Sequence, residues 1–130
     1  MIQKTSDSSS KAIEAARKEI AEKITYAFAS YIRNFSLSMN SVEVNAMPDP
    51  IWKFSVSFMF CTDNKTYAFS DTANEGDAKY ITEWIWLAIL NIAGSAAAAA
   101  PSDRNKAAAY EEIGNIGEAM GFVTPDHRQR

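Results

Sequence analysis

The chain has 130 residues, of which 47% are hydrophobic and 22% are charged, and its net charge is −3 at neutral pH. This length and this composition are typical of one globular domain with one hydrophobic core. The acidic balance argues against direct binding to nucleic acid, because domains that hold phosphate backbones are usually basic.

The start of the chain and its single cysteine suggest where the protein resides. Cys61 is the only cysteine, which excludes a disulfide bond within the chain. The opening MIQKTSDSSS lacks the apolar run of a secretory signal, so we expect a cytoplasmic location. We also expect residues 1–9 to be a disordered tail, residues 10–122 to form a single α+β domain, and residues 123–130 to be a frayed tail.

An amphipathic pattern follows the tail and runs from Ser10 to about Asn34. One face is apolar and consists of Ile13, Ala16, Ile20, Ile24, Phe28, Tyr31 and Phe35. The opposite face carries charged residues such as Lys11 and Glu14. This spacing predicts a long N-terminal helix that packs its apolar face on the core.

The middle of the chain changes to a period of two, which is the period of β-strands. A first strand is predicted over residues 42–46, where Val42, Val44 and Ala46 alternate with polar residues, and a proline-rich turn follows at 47–50. The second strand is the clearest, with one face formed by Trp52, Phe54, Val56, Phe58 and Phe60. A turn at 62–65 and a third strand over 66–70 complete an antiparallel meander, whose aromatic face needs cover from helices.

Residues 77–93, DAKYITEWIWLAILNIA, form the most apolar segment. One helical stripe consists of Tyr80, Ile81, Trp84, Ile85, Ala88, Ile89 and Ile92. Trp86, Leu87 and Leu90 fall off this stripe, so the predicted helix is apolar nearly all round. Such a helix is buried on several sides or presents a surface to a partner. Asn74 is the predicted N-cap.

The alternative for this segment is a membrane span over residues 84–100. These 17 residues carry no charge, which is the lower limit of length for a spanning helix. Two features favour a core helix instead: the alanines after Gly94 are only weakly apolar, and no Lys/Arg cluster flanks the run. We therefore expect no membrane association.

The last third of the chain predicts a further helix. Either Gly94 ends the central helix or the alanines extend it as far as Pro101. Asp103, or Ser102 before it, can cap a final helix through Met120, and Gly121 followed by Phe122 fits a C-terminal cap. Gly114 and Gly117 inside that helix indicate either a close approach of another backbone or an irregular helix. The predicted fold is therefore α+β, in the order α-β-β-β-α-α.

The sequence lacks the motifs of common catalytic and cofactor sites. The only histidine, His127, lies near the C-terminus and far from Cys61, so neither a metal cluster nor a nucleophile–base pair is indicated. No glycine-rich phosphate loop follows a predicted strand. We therefore expect a protein that is not an enzyme and that uses no cofactor or metal.

Our first hypothesis is a small acidic interaction protein that binds a partner protein or complex. A more specific form of this hypothesis is that the binding inhibits the partner. Unassigned apolar area often marks an interface, so we also expect self-association. An inhibitor of host defence carried by a phage or mobile element would fit this description. The candidate interface residues are Trp86, Leu87, Leu90, Asp71, Glu75, Asp77 and Glu83.

The alternative hypothesis is a protein that binds and sequesters a small molecule or nucleotide. Its pocket would lie between the aromatic face of the sheet and the helices, because ligand pockets are mostly lined by apolar and aromatic side chains. The candidate pocket residues are Trp52, Tyr67, Trp84 and Tyr110.

Overall fold

The computed structural model describes residues 2–43, 45 and 49–122, with side chains described from residue 11 onward. The order of its elements confirms the predicted α+β fold of one helix, a three-stranded meander and two helices. The elements are α1 (Ile2–Phe28), β1 (Ile32–Val42), β2 (Ile51–Phe60), β3 (Lys65–Asn74), α2 (Ala78–Ala99) and α3 (Arg104–Ala119). Helix α1 begins at Ile2, whereas the sequence predicts its start near Ser10. The predicted tail at 123–130 lies outside the described residues.

The three strands form one antiparallel sheet in the order β1-β2-β3. Every second residue of β2 is buried, and these are the aromatic and apolar residues expected from the alternation: Trp52, Phe54, Val56, Phe58 and Phe60. We call this buried side the inner face of the sheet. The buried helical residues that complete the core include Ile20, Ile24 and Phe28 of α1 and Ile81, Ile85 and Ile89 of α2.

The first strand lies earlier in the chain than the sequence predicts. β1 spans Ile32–Val42, so the predicted position of this strand at 42–46 is wrong; Val44 and Ala46 lie outside the described residues. A β-bulge between Arg33 and Ser36, with Asn34 at a φ of 56°, adds one residue to β1. The extra residue breaks the period of two, which is why this part of the strand resembles the end of a helix.

The turn between β2 and β3 is fixed by hydrogen bonds of its own residues. Asn64 adopts a φ of 57° and donates its N–H to the carbonyl of Phe60 at 2.8 Å. Asp63 Oδ1 accepts the N–H of Lys65 at 2.9 Å. Asn and Asp tolerate such conformations because their short side chains bond to the nearby backbone.

Helix α2 begins later than predicted, because β3 continues to Asn74. Asn74 is therefore a strand residue and not the N-cap. Asp77 takes that role, and its Oδ1 accepts the N–H of Tyr80 at 3.1 Å. At the other end the helix continues through Gly94 to Ala99, so the alanines extend it.

Helix α3 has the predicted caps at both ends. Asp103 Oδ1 accepts the N–H of Asn105 at 3.0 Å, which identifies Asp103 as the N-cap. Gly121 has a φ of 81°, and the N–H of Phe122 donates to the carbonyl of Gly117 at 2.9 Å. This is the Schellman geometry expected from a glycine followed by an apolar residue.

The contact between α2 and α3 centres on Trp86. Its indole is 1% exposed, and Nε1 donates to the carbonyl of Ile113 at 3.0 Å. A Cβ added to Gly117 would lie 2.1 Å from the indole ring, and the ring of Phe122 is 5.6 Å away. Gly117 therefore permits the close approach of a side chain, the indole of Trp86. The sequence alone predicts either the approach of another backbone or an irregular helix.

Candidate functional site

An open cleft of about 600 Å³ lies between β3 and α2, and we call it the α2–β3 cleft. Tyr67 and Phe69 line it from the inner face of β3, and Trp84, Leu87 and Ile92 line it from α2. Its volume falls in the range of about 300–1,000 Å³ that is usual for ligand pockets. Mostly apolar walls and an open mouth suit a partly apolar ligand.

Trp84 holds the two walls of the cleft together at one end. Its ring meets Phe54 edge-on at a centroid distance of 5.2 Å, and Phe69 at 6.0 Å with an interplanar angle of 76°. Edge-to-face pairs of this kind each contribute about 1 kcal/mol beyond the area they bury. Because Phe54 belongs to β2 and Phe69 to β3, these contacts place α2 above both strands.

The other end of the cleft is polar. Asp63, Lys65 and Lys106 line it, beside small α2 residues such as Ser95. The hydroxyl of Tyr67 donates to Asp63 Oδ2 at 2.6 Å. This hydrogen bond raises the pKa of Tyr67, and burial and the negative charge of Asp63 raise it further. Tyr67 is therefore neutral at physiological pH, and its ring is held in place along the cleft wall.

β3 is an edge strand of the described sheet. The residues that direct their backbone N–H and C=O groups to the open edge, away from β2, can be identified one by one. Cys61 donates its N–H to the carbonyl of Tyr31 at 2.8 Å, so odd-numbered residues of β2 face β1. Even-numbered residues of β2 therefore face β3, where the register places Phe54 opposite Asp71. Because successive backbone groups alternate in direction, the even-numbered residues of β3 point away from the sheet. They are Thr66, Ala68, Ser70, Thr72 and Asn74.

One of these outward groups is occupied by a neighbouring side chain. The N–H of Thr72 donates to Asp71 Oδ1 at 2.8 Å, which agrees with its outward direction. Within the part of the chain that the structure describes, no strand pairs with this side of β3. The carbonyl of Asn74 accepts the N–H of Asp77 at 3.1 Å. Thr66, Ala68 and Ser70 therefore present their N–H and C=O groups at the edge, beside the aromatic wall of the cleft.

The two edges of the sheet differ in regularity. β1 carries the bulge at Asn34, and bulges are one way in which proteins make an edge unsuitable for further pairing. β3 keeps a continuous register with β2 from Lys65 to Asn74. The regular edge is the one that can accept another strand.

Two of the four predicted pocket residues meet in the cleft. Tyr67 and Trp84 both line it. Trp52 is only 4% exposed and pairs with Ala73 near the opposite end of β3. Tyr110 is 46% exposed on α3, where its ring lies against Gly94.

The predicted apolar interface residues lie on different sides of α2. Trp86 is buried against α3, and Leu90 faces α3 as well, since its Cδ1 would be 3.7 Å from a Cβ on Gly114. Leu87 is half-buried and lines the cleft. Of the three, only Leu87 therefore lines the cleft, and Leu90 is half-buried beside α3.

The predicted acidic residues are also dispersed. Glu83 is 3% exposed, with Oε2 at 3.7 Å from Lys79 Nζ. Asp77 caps α2, Glu75 is exposed in the preceding turn, and Asp71 lies on the inner face of β3. The structure does not bring them together into one patch.

Phe69, Lys65 and Lys106 are cleft residues that the sequence analysis did not select. The alternation of β3 places Phe69 on the same face as Tyr67, which is a signal that was available. The same alternation places Lys65 on that face. No local pattern marks Lys106, because it comes from α3 and joins the cleft only through the packing of α3 on α2.

Comparisons of the chain with protein-family models, with curated proteins and with solved structures find no match. Among the described residues, no group of three His, Cys, Asp or Glu side chains could hold a metal ion. In that same part of the chain, α2 has the length and composition of a membrane-spanning helix, a criterion that buried core helices also meet.

Proposed function

We propose that the protein is a non-enzymatic interaction module that binds an extended segment of a partner polypeptide along the outer edge of β3. A single observation carries this proposal: β3, a regular edge strand whose outer side pairs with no strand among the described residues, runs beside an apolar cleft. Edge strands of this kind bind peptides by adding a strand to the sheet.

The backbone and the cleft have separate roles in this binding mode. The partner segment pairs with the outward backbone groups of Thr66, Ala68 and Ser70, which supplies hydrogen bonds independent of sequence. Every second side chain of the segment faces the inner side, because side chains alternate along a strand. Those side chains enter the cleft between Phe69 and Leu87, and the fit there selects the partner.

Binding of this kind can inhibit a partner whose segment is needed elsewhere. A strand held along β3 is withheld from its own complex, which is how a small protein without catalytic groups can act as an inhibitor. An inhibitor of host defence that is carried by a phage or mobile element would be one form of this proposal.

Peptides selected from a displayed library of extended sequences provide the test. In a complex with a selected peptide, the amides of Thr66, Ala68 and Ser70 should exchange more slowly with solvent by NMR than in the peptide-free monomer. Leu87→Gln should weaken binding about tenfold, because it places an amide in the apolar wall. Tyr26→Gln, which changes an exposed tyrosine on α1, is the matched control. Binding without slower exchange at these three amides would contradict strand addition.

The cleft also supports a second candidate function, the binding of a small molecule. Its volume suits one, and Lys65 and Lys106 at the polar end would attract an anionic group while Trp84 and Leu87 contact an apolar part. A thermal-shift screen of metabolites and nucleotides tests this candidate. A ligand that raises the melting temperature of the wild type, but not that of Leu87→Gln, and leaves exchange along β3 unchanged would favour it over strand addition.

A further inference from the structure

We infer that the strand added at this edge is β3 of a second copy of the chain, in an antiparallel pairing whose two-fold axis passes at Ala68. This inference rests on the proposed function, since it names the partner of the same edge. It gives a dimer with a continuous six-stranded sheet and with both inner faces on the same side.

The backbone restricts how two copies can pair. Only even-numbered residues of β3 direct their N–H and C=O groups outward, so each hydrogen-bonded pair must join even-numbered residues of the two copies. The N–H of Thr72 is already donated to Asp71 Oδ1, and the carbonyl of Asn74 accepts the N–H of Asp77 at 3.1 Å, which leaves Thr66, Ala68 and Ser70 for the pairing. An axis at Ala68 uses all three, because Thr66 then lies opposite Ser70 of the second copy, and Ala68 lies opposite Ala68.

The inner-face side chains select the same register. With the axis at Ala68, Lys65 lies opposite Asp71 of the second copy, and this pair occurs twice by symmetry. Tyr67 lies opposite Phe69 of the second copy, also twice. Opposite charges and aromatic pairs are favourable cross-strand neighbours.

Neighbouring registers lose this complementarity. Moving the axis to Tyr67 brings Asp71 opposite Asp63 of the second copy, so that two carboxylates face each other. Moving it to Phe69 brings Lys65 opposite Ala73, and the charge pair is lost. Charge complementarity therefore points to the register centred on Ala68.

The apolar cleft fits a second copy as well. Tyr67 and Phe69 are half-buried in one chain, and the opposite aromatic rings of the second copy cover them. α2 lies above β2 and β3, and strands are about 4.8 Å apart, so the two copies of α2 come within about 10 Å of each other. Packed helices have this spacing, and Leu87 lies on the side that faces the second copy.

Cysteine cross-linking tests the register directly. In a Cys61→Ser background, Ala68→Cys should form an interchain disulfide, because hydrogen-bonded antiparallel pairs have Cα atoms about 5.5 Å apart. Ser70→Cys is the matched control, since its two copies would be about 13 Å apart along the strands and should stay reduced. Both positions are exposed on the outer face of β3. A cross-link at Ser70 instead of Ala68 would overturn the register.

Sedimentation equilibrium of the full chain tests the dimer and its charge pairs. The wild type should show twice the chain mass of 14.4 kDa. Lys65→Asp and Asp71→Lys should each raise the dimer dissociation constant about tenfold, because each places like charges opposite one another at two positions. The double variant should return it to within about threefold of the wild type. Lys53→Asp, on the outer face of the central strand, should leave it unchanged.

The outcomes separate this inference from the proposed function. A single-chain mass at every concentration, together with no disulfide at Ala68→Cys, overturns the dimer. If that monomer still binds a selected peptide with slower exchange at Thr66, Ala68 and Ser70, strand addition stands with a different partner. If it binds no peptide either, both proposals fail.

Discussion

The two sides of α2 have similar apolar side chains but different surroundings. On one side, Trp86 is sealed by α3, where Gly117 makes room for the indole and Ile113 accepts its N–H. On the other side, Trp84 and Leu87 border the open α2–β3 cleft.

The difference between these two sides shows what leaves an apolar surface open in this fold. The Trp86 side is closed because the chain returns as α3 and carries a glycine where the indole needs space. The Trp84 side stays open because β3 is the last strand of the described sheet, so no further strand supports a covering element. The open apolar surface therefore coincides with the open sheet edge, and one partner strand can cover both.

The largest expected effect comes from closing the space that Trp86 occupies. Gly117→Ala should destabilise the protein by about 3 kcal/mol, because the new Cβ would lie 2.1 Å from an indole that cannot move aside without losing its hydrogen bond. Urea denaturation measures this loss as a lower transition midpoint.

Gly114→Ala is the matched control on the same helix. There the new Cβ would meet only Leu90 Cδ1, at an ordinary contact distance of 3.7 Å. Alanine is favoured over glycine inside a helix by about 1 kcal/mol, so this variant should be more stable than the wild type. If both variants changed the free energy of unfolding in the same direction, the packing of the indole on Gly117 would be refuted.

The same substitution at the two tryptophans compares the two sides of α2 directly. Trp86→Phe should cost about 2 kcal/mol, since it removes buried volume and leaves the carbonyl of Ile113 without its donor. Trp84→Phe should cost about 1 kcal/mol, because the half-buried ring can still contact Phe54 and Phe69. Equal losses in thermal or urea unfolding would show that the two sides are equally closed.

The parts of this structure that the sequence predicts are those set by local periodicity and local caps. The alternation from Trp52 to Phe60 predicts the inner face of β2, because each strand residue faces the side opposite to its neighbours. Asp103 and Gly121 predict the ends of α3, because caps depend on the nearest turn of the helix. These local signals are sufficient for the order of the elements.

The parts that sequence analysis missed depend on distant neighbours or on a local irregularity. The bulge at Asn34 shifts the period of β1, so its boundary was misplaced. Helical spacing gives the direction of Trp86 and Leu87 around α2, but it does not say which direction α3 covers. Of the predicted pocket residues, Tyr67 and Trp84 line the cleft, whereas Trp52 belongs to the core at another end of the sheet.

A substitution at Leu87 should have a smaller effect on stability, but a clear effect on the binding of an apolar dye to the cleft. Leu87→Gln should change the free energy of unfolding by less than about 1 kcal/mol, because the side chain is half-buried at the cleft. It should also reduce the fluorescence of an anilinonaphthalene sulfonate dye bound to the native monomer, in which the cleft is an open apolar surface. Tyr26→Gln on α1 should leave the dye signal unchanged, and an equal reduction there would place the dye elsewhere.

The smallest expected effect is an alkaline transition at the polar end of the cleft. The pKa of Tyr67 is raised mainly by the hydrogen bond that it donates to Asp63, and also by burial and by the charge of Asp63. A pKa that is higher in the folded state than the unfolded value of about 10 adds stability that is complete below pH 10. This contribution is lost as the pH rises through the folded pKa of Tyr67.

Tyrosinate absorbance near 295 nm, compared between variants, measures this transition. Asp63→Asn should lower the pKa of Tyr67, because the neutral amide oxygen accepts a weaker hydrogen bond and carries no charge. Tyr67→Phe identifies which step of the titration belongs to Tyr67. Tyr31 is the internal control, since its pKa is raised mainly by burial and then by Glu112, and Asp63→Asn should leave it unchanged. A Tyr67 step that did not move in Asp63→Asn would show that Asp63 does not hold the phenol, and the polar end of the cleft would then lack its fixed wall.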